Sequence, residues 1–250
     1  MSANEFSFNI NNRNLSIIKE NYMNLKEEES LPINPNKYPI SIEDTRPIIM
    51  SWLSFLCSKL NFSVQTLFRC ISIFDQYISK IPLDQTSSLS KDYLSLIAIA
   101  CLSLSTKLEE INCNYVNFLN EKVLNSPNSK VYTNKDLTQM ELKILKVLKF
   151  KTIYSTPLDF IEIYIEIFKN VLCSNGFVIN PNIIFQIKNY SINSVKNIIN
   201  SKMYLTCNAS QLAYLCFIRV LNQTNLLNLI NMKQFEKNFY SFNYQLSNVF

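Results

Sequence analysis

Apolar residues recur every three to four positions over most of the chain, and the segment Leu94 to Glu110 (LSLIAIACLSLSTKLEE) is where this one-sided pattern fails. Leu94, Leu96, Ile97, Ile99, Cys101, Leu102 and Leu104 sweep most of the way round a helix, and no charge appears until Lys107. A helix apolar on every side is buried among other helices. It falls short of the roughly 20 apolar residues that a membrane-spanning helix needs. The segment is therefore expected to be the central helix of an all-α domain, with Lys107, Glu109 and Glu110 emerging at its carboxyl end.

One-sided patterns mark the other elements. Residues 1–14 are polar and Asn-rich and are expected to be disordered. Ile18, Tyr22 and Leu25 then predict a short amphipathic helix ending in the Glu27 to Glu29 run and packing on the main body. Pro32, Pro35 and Pro39 make an extended connector. Asp44 is a favourable N-cap for a helix through Ile49, Trp52, Leu53 and Leu56, with Pro47 tolerated in its first turn. Ser63 caps the next, whose face carries Leu67, Cys70, Ile71, Phe74 and Ile78. After the central helix come a shorter segment around Tyr115 to Leu124, a polar loop with Pro127, and a helix capped by Thr133 with Asp136 three residues on, ending near Phe150.

Pro157 opens a second block. Ile161, Ile165 and Phe168 mark one helix, and Asn180-Pro181 starts another with Ile184, Ile187 and Tyr190 on its face. Asn208 caps a third, Leu212 to Leu221, followed by Leu226 to Ile230 and an end rich in Phe and Tyr. The stretch SQLAYLCFIRVLNQ is small and apolar like Leu94 to Leu104, so the chain reads as two related five-helix units with the central helix repeated. The expected division is an N-terminal segment 1–43, a first unit 44–152 and a second unit 153–250. Only the first unit carries Lys107 with Glu109 and Glu110.

Composition sharpens the reading. A single glycine, Gly176, disfavours tight hairpins and phosphate-cradling loops, and with 48% apolar residues the 250-residue chain can build proper cores. The absence of histidine removes the usual general base and zinc nitrogen ligand, so neither a catalytic residue nor a metal or cofactor site is expected. An enzyme built on an activated cysteine would have only lysine or a helix dipole to lower its thiol pKa. The seven cysteines show no CxxC spacing, and Cys57, Cys70, Cys101 and Cys216 sit among apolar helical residues as buried thiols. No export signal opens the chain, so an intracellular setting with reduced thiols is expected. A net charge of +5 spread over scattered lysines gives no nucleic-acid footprint.

Three ionisable groups stand where apolar residues belong. Leu137, Met140, Ile144 and Leu148 define a stripe with Glu141 inside it, and Arg46 and Asp75 lie at the edges of the stripes of their helices. Each would be partly desolvated and costly unless paired. Snorkelling to the surface is the alternative for any one alone.

These residues resemble the cyclin family. Arg46 through Trp52-Leu53 is similar to the first cyclin-box helix, and Phe74-Asp75-Gln76-Tyr77-Ile78-Ser79 to the end of the second, where the family has Asp-Arg-Phe-Leu-Ser. Ser105-Thr106-Lys107-Leu108-Glu109-Glu110 resembles the family's Ala-Ser-Lys-Tyr-Glu-Glu. The run from Met140 to Phe150 resembles its fifth helix, and Thr156-Pro157-Leu158-Asp159-Phe160 the entry to its second fold. The resemblance covers residues 44–165 in register and the remainder by helix pattern.

The resemblance implies an all-α protein of two consecutive five-helix cyclin-like folds. It implies a non-catalytic subunit that forms a heterodimer with a cyclin-dependent kinase in the nucleus or cytoplasm. By the same resemblance Lys107 and Glu141 reach the kinase's mobile αC helix, flanked by Leu108, Glu109, Glu110 and Ile111, while Arg46 and Asp75 form an internal brace. Docking holds αC inward so that its Glu pairs with the ATP-positioning Lys.

A substrate-docking patch is implied at Ile48, Ile49, Trp52 and Leu94, but Thr45, Phe55 and Ser95 replace the family's Met, Glu and Gln there. Ser105 replaces an Ala, Ser51 an Asp, and the stretch between Glu110 and Glu141 is longer than in typical cell-cycle members. Lys19-Glu20-Asn21 spells a tripeptide used as a ubiquitin-ligase degradation signal. The rival readings are a transcription-associated cyclin and the two-fold initiation factor that bridges polymerase and promoter, which requires salt-dependent DNA affinity.

Overall fold

The computed structural model describes residues 3–41, 43–83, 89–111, 132–174, 176–177, 180–224 and 226, with side chains from Leu15 onward. The expected segment around Tyr115 to Leu124, the loop at Pro127 and the chain after Leu226 lie outside the described residues. Among those residues all regular structure is helical. The helices are α1 (Ala3–Glu28), α2 (Thr45–Lys59), α3 (Val64–Ile78), α4 (Lys91–Glu109), α5 (Asn134–Val147), α6 (Pro157–Ser174), α7 (Pro181–Ile198), α8 (Lys202–Thr206) and α9 (Ala209–Gln223). None is long and apolar enough to cross a membrane.

Two compact units interleave along the sequence. One comprises 1–29, 157–197 and 209–250, the other 30–156 and 198–208. In the second, α4 packs against α3 and α5, and α2 against α3. Every residue of α4 from Ile97 to Thr106 is buried, as its all-round apolar pattern requires. Its hydroxyls are absorbed within the helix: Ser105 Oγ donates to the Cys101 carbonyl at 2.8 Å and Thr106 Oγ1 to that of Ser103 at 2.9 Å. The extra hydroxyl at Ser105 therefore does not reach the surface.

Local chemistry sets the helix ends. Ser63 and Ser90 accept from the N–H groups of Thr66 and Tyr93, and Thr133 and Asp136 form a capping box on α5. Asp44 occupies the N-cap of α2 without capping it, because its carboxylate accepts instead from the Ser41 hydroxyl at 3.0 Å. With one glycine in the chain, two helices close on other residues in the left-handed region. Asn61 (φ 56°) follows α2 and Lys149 (φ 52°) follows α5, each giving the paired 5→2 and 6→1 hydrogen bonds that Gly176 supplies after α6. Phe150 continues with φ 61°, an uncommon conformation for an aromatic residue, and leaves its ring 65% exposed.

The other unit shows three departures from the sequence pattern. First, α1 runs 26 residues and includes the polar start expected to be disordered; no proline or glycine interrupts Ala3 to Glu28. Secondly, the amino-terminal helix packs on the main body as expected, but residues 1–29 group with 157–197 and not with the 30–156 that follow them in sequence, because the buried Tyr22 ring packs edge-on to Phe160 at 5.7 Å and the Glu29 carboxylate accepts from the Ser210 N–H at 2.6 Å. Thirdly, the buried stripe of α7 is Ile187, Ser191, Ile192 and Val195, leaving Tyr190 54% exposed. The helix is turned so that the small Ser191 faces inward.

Candidate protein-docking site and its supporting ion pairs

The ionisable groups that interrupt apolar stripes come together as pairs. Arg46, with no exposed side-chain surface, donates from Nε to Asp75 Oδ1 at 3.0 Å and from Nη2 to Oδ2 at 2.7 Å. Its Nη1 donates to the Ile199 carbonyl, the Tyr204 ring lies 5.5 Å from its Cζ, and the Tyr38 hydroxyl donates to Asp75 Oδ1. Burial, and then the Asp75 charge, push the Tyr38 hydroxyl well above its ordinary pKa. Burial also opposes the Arg46 charge, but the Asp75 carboxylate outweighs it and holds the guanidinium firmly protonated. A planar fork with donors on three sides needs more than one carboxylate. The third acceptor is a backbone carbonyl remote in sequence, which helps join residues 198–208 to the unit of α2 and α3.

At the carboxyl end of α4, the Lys107 ammonium lies 2.7 Å from both carboxylate oxygens of Glu141 on α5. The lysine side chain is 41% exposed and the glutamate 11%. An ammonium has three donors and a carboxylate about four acceptor sites. Among the described residues the pair therefore leaves one ammonium N–H and further carboxylate lone pairs unengaged. Leu108 and Ile111 are exposed beside Lys107 in sequence, Ile111 almost completely, and Leu142 is exposed beside Glu141.

Glu109 and Glu110 point elsewhere. Glu109 accepts from Arg69 Nε at 2.6 Å, and Arg69 Nη1 donates to the Tyr154 carbonyl. Glu110 accepts from the Ser63 N–H at 2.8 Å and from the Thr66 hydroxyl, placing an anion at the amino end of α3. Both carboxylates anchor the end of α4 to α3. Arg69 was not singled out by the sequence because its helix also carries Leu67, Cys70 and Ile71 on a contiguous buried face, and nothing in the local spacing announces Tyr154. Phe150 and Ile153 are 65% and 52% exposed. Phe150 owes its position to the pair of positive φ angles at Lys149 and Phe150 after α5, which no spacing rule reports.

The Glu110 carboxyl titrates below its ordinary 4.5: partial burial alone would raise it, but hydrogen bonds from the Thr66 hydroxyl and from Ser63 outweigh that effect. A depressed folded pKa contributes stability that is complete above the ordinary value and lost as pH falls through the folded one. Urea unfolding between about pH 5 and pH 3 should thus destabilise the wild type more than Glu110→Gln. Equal pH slopes would show that Glu110 is not held in this way.

Of the implied patch residues, Ile49 and Leu94 are buried in the core, Ile48 is 70% exposed and Trp52 is half-buried. Phe55 is 58% exposed with the Lys59 ammonium 5.6 Å from its ring centre, so a cation stands near where the family has an acid. Among the described residues no group of His, Cys, Asp or Glu is arranged to hold a metal ion.

Comparison with known proteins places this helical architecture. The model of the cyclin N-terminal domain matches residues 8–153, and the chain belongs to the cyclin family. Similar proteins are the G2/mitotic-specific cyclin-B2 of Bos taurus, 31% identical over 117 residues, and the G2/mitotic-specific cyclin cdc13 of Schizosaccharomyces pombe, 31% identical over 145. These cover 47% and 56% of this chain, and in each case 27% of the relative, so the chain spans about a quarter of the curated relatives it matches. A viral cyclin from herpesvirus saimiri has a similar fold, with a TM-score of 0.60 at 16% identity over 94% of this chain and 97% of that one.

Proposed function

We propose that this cyclin is the regulatory, non-catalytic subunit of a cyclin-dependent Ser/Thr kinase, activating it in cell-cycle progression by holding its αC helix inward. The observation that carries the reading is the Lys107–Glu141 pair, partly open to solvent where α4 emerges from its buried stretch Ile97 to Thr106, and next to the exposed Leu108 and Ile111. Such a pair can donate to a backbone carbonyl or accept from a backbone N–H, the groups that helix ends leave unpaired. The exposed Phe150 and Ile153 extend the apolar surface available to the partner. Glu109 and Glu110 keep the end of α4 in place for that contact. The G2/mitotic names of the relatives support the cell-cycle role, and nucleus or cytoplasm is the corresponding location.

Two five-helix cyclin-like folds in tandem belong to the same reading, supported by the repeated small apolar helix and by the break between Thr156 and Pro157. The test is phosphorylation by a panel of monomeric cyclin-dependent kinases mixed with the purified chain. Activation by the wild type that is lost in Lys107→Ala/Glu141→Ala supports the assignment. No activation by a folded wild-type protein refutes it.

Substrate docking on α2 should be weak. The Arg of an Arg-x-Leu peptide meets Phe55 and Lys59 in place of a carboxylate. Fluorescence anisotropy is expected to show little binding, whereas tight binding that falls on Trp52→Ala would contradict this.

A further inference from the structure

An open groove of about 670 Å³ runs between α1, α6 and α7, within one compact unit, and shares no residue with the Lys107–Glu141 site. Ile18 and Leu25 of α1, Ile163 of α6 and Ile184 of α7 give it apolar walls. Its lining also holds four carboxylates, Glu28 from α1 and Asp159, Glu162 and Glu166 from α6. The three on α6 stand at i, i+3 and i+7 and so share one face, where like charges repel. Among the described residues Lys188 is the one cation in the lining, 2.6 Å from Glu162, while Lys169 meets Glu166 from outside it. Counting Lys169, four carboxylates stand against two ammoniums among the described residues, which leaves the groove a local negative charge, opposite in sign to the chain's net +5.

We propose that this groove docks a short cationic segment of a partner protein, with aliphatic side chains seated on Ile18, Leu25, Ile163 and Ile184 and flanking Lys or Arg side chains against the acidic rim. The apolar walls supply burial, and the rim supplies sign selectivity and encounter rate. An anionic segment is repelled, and a neutral apolar one gains nothing from the rim's negative charge.

The experiment is selection from a random-peptide phage library on the full chain, followed by anisotropy titration of the best labelled peptide against wild type, Glu28→Lys/Glu162→Lys and Ile184→Ser. Glu28 and Glu162 are exposed, so their reversal keeps the fold, which circular dichroism verifies. The selected peptides should combine Lys or Arg with Leu, Ile or Val, lose affinity as NaCl rises, and bind the charge-reversed variant at least about tenfold more weakly, with Ile184→Ser also weakened. Failure to select any peptide, peptides without basic residues, or equal affinity for the charge-reversed variant would overturn the proposal. So would a dimer in sedimentation that the same reversal dissolves, because the occupant would then be a second copy of the chain.

Discussion

Asp75→Ala should cost about 3–5 kcal/mol of folding stability, the range found when one partner of a buried ion pair is removed. The reason is what remains behind. Arg46 has no exposed surface, stays protonated, and among the described residues is left with the Ile199 carbonyl and the Tyr204 ring. Tyr38 simultaneously loses the acceptor of its buried hydroxyl. Against a typical total of about 5–15 kcal/mol, this removes a large fraction of the stability. Urea unfolding followed by Trp52, the one tryptophan, reads the unit concerned directly. The triple variant Tyr38→Phe, Arg46→Met, Asp75→Leu should recover most of the loss, since no charge or hydroxyl is then stranded. A loss below about 1 kcal/mol in Asp75→Ala would mean that the pair behaves as a solvent-screened surface bridge.

Lys107→Ala and Glu141→Ala should each weaken kinase binding by about 1.5–3 kcal/mol, as lost charge-assisted hydrogen bonds do. That is roughly 10- to 150-fold in Kd, measurable by calorimetry with the kinase that responds in the activation assay. Glu141→Ala should cost little folding stability, about 1 kcal/mol or less, because the lysine it leaves is 41% exposed and screened by water, whereas Lys107→Ala leaves a carboxylate only 11% exposed and should cost more. Stability and affinity thereby separate the two roles. Unchanged affinity in both variants would remove Lys107 and Glu141 from the interface. A large loss of stability with unchanged affinity would make them a brace like Arg46 and Asp75.

The sequence by itself determined much of this protein. Caps at Ser63, Ser90 and Thr133 are local hydrogen-bonding choices, and the apolar periods of α3, α4 and α5 state which faces are buried. The cost of burying a charge likewise marked Arg46, Asp75 and Glu141 as residues in need of partners before any partner was visible. Tertiary structure decided who the partners are. Arg46 found Asp75 across 29 positions but also Ile199 across 153, and Glu141 found Lys107 across 34. It turned Glu109 and Glu110 onto α3, and set Tyr22 against Phe160 so that residues 1–29 share a unit with 157–197. Periodicity reports only the environment a helix face requires. Which distant atom satisfies a third guanidinium donor, or which carboxylate keeps an open side toward solvent, depends on packing between segments that no local pattern encodes.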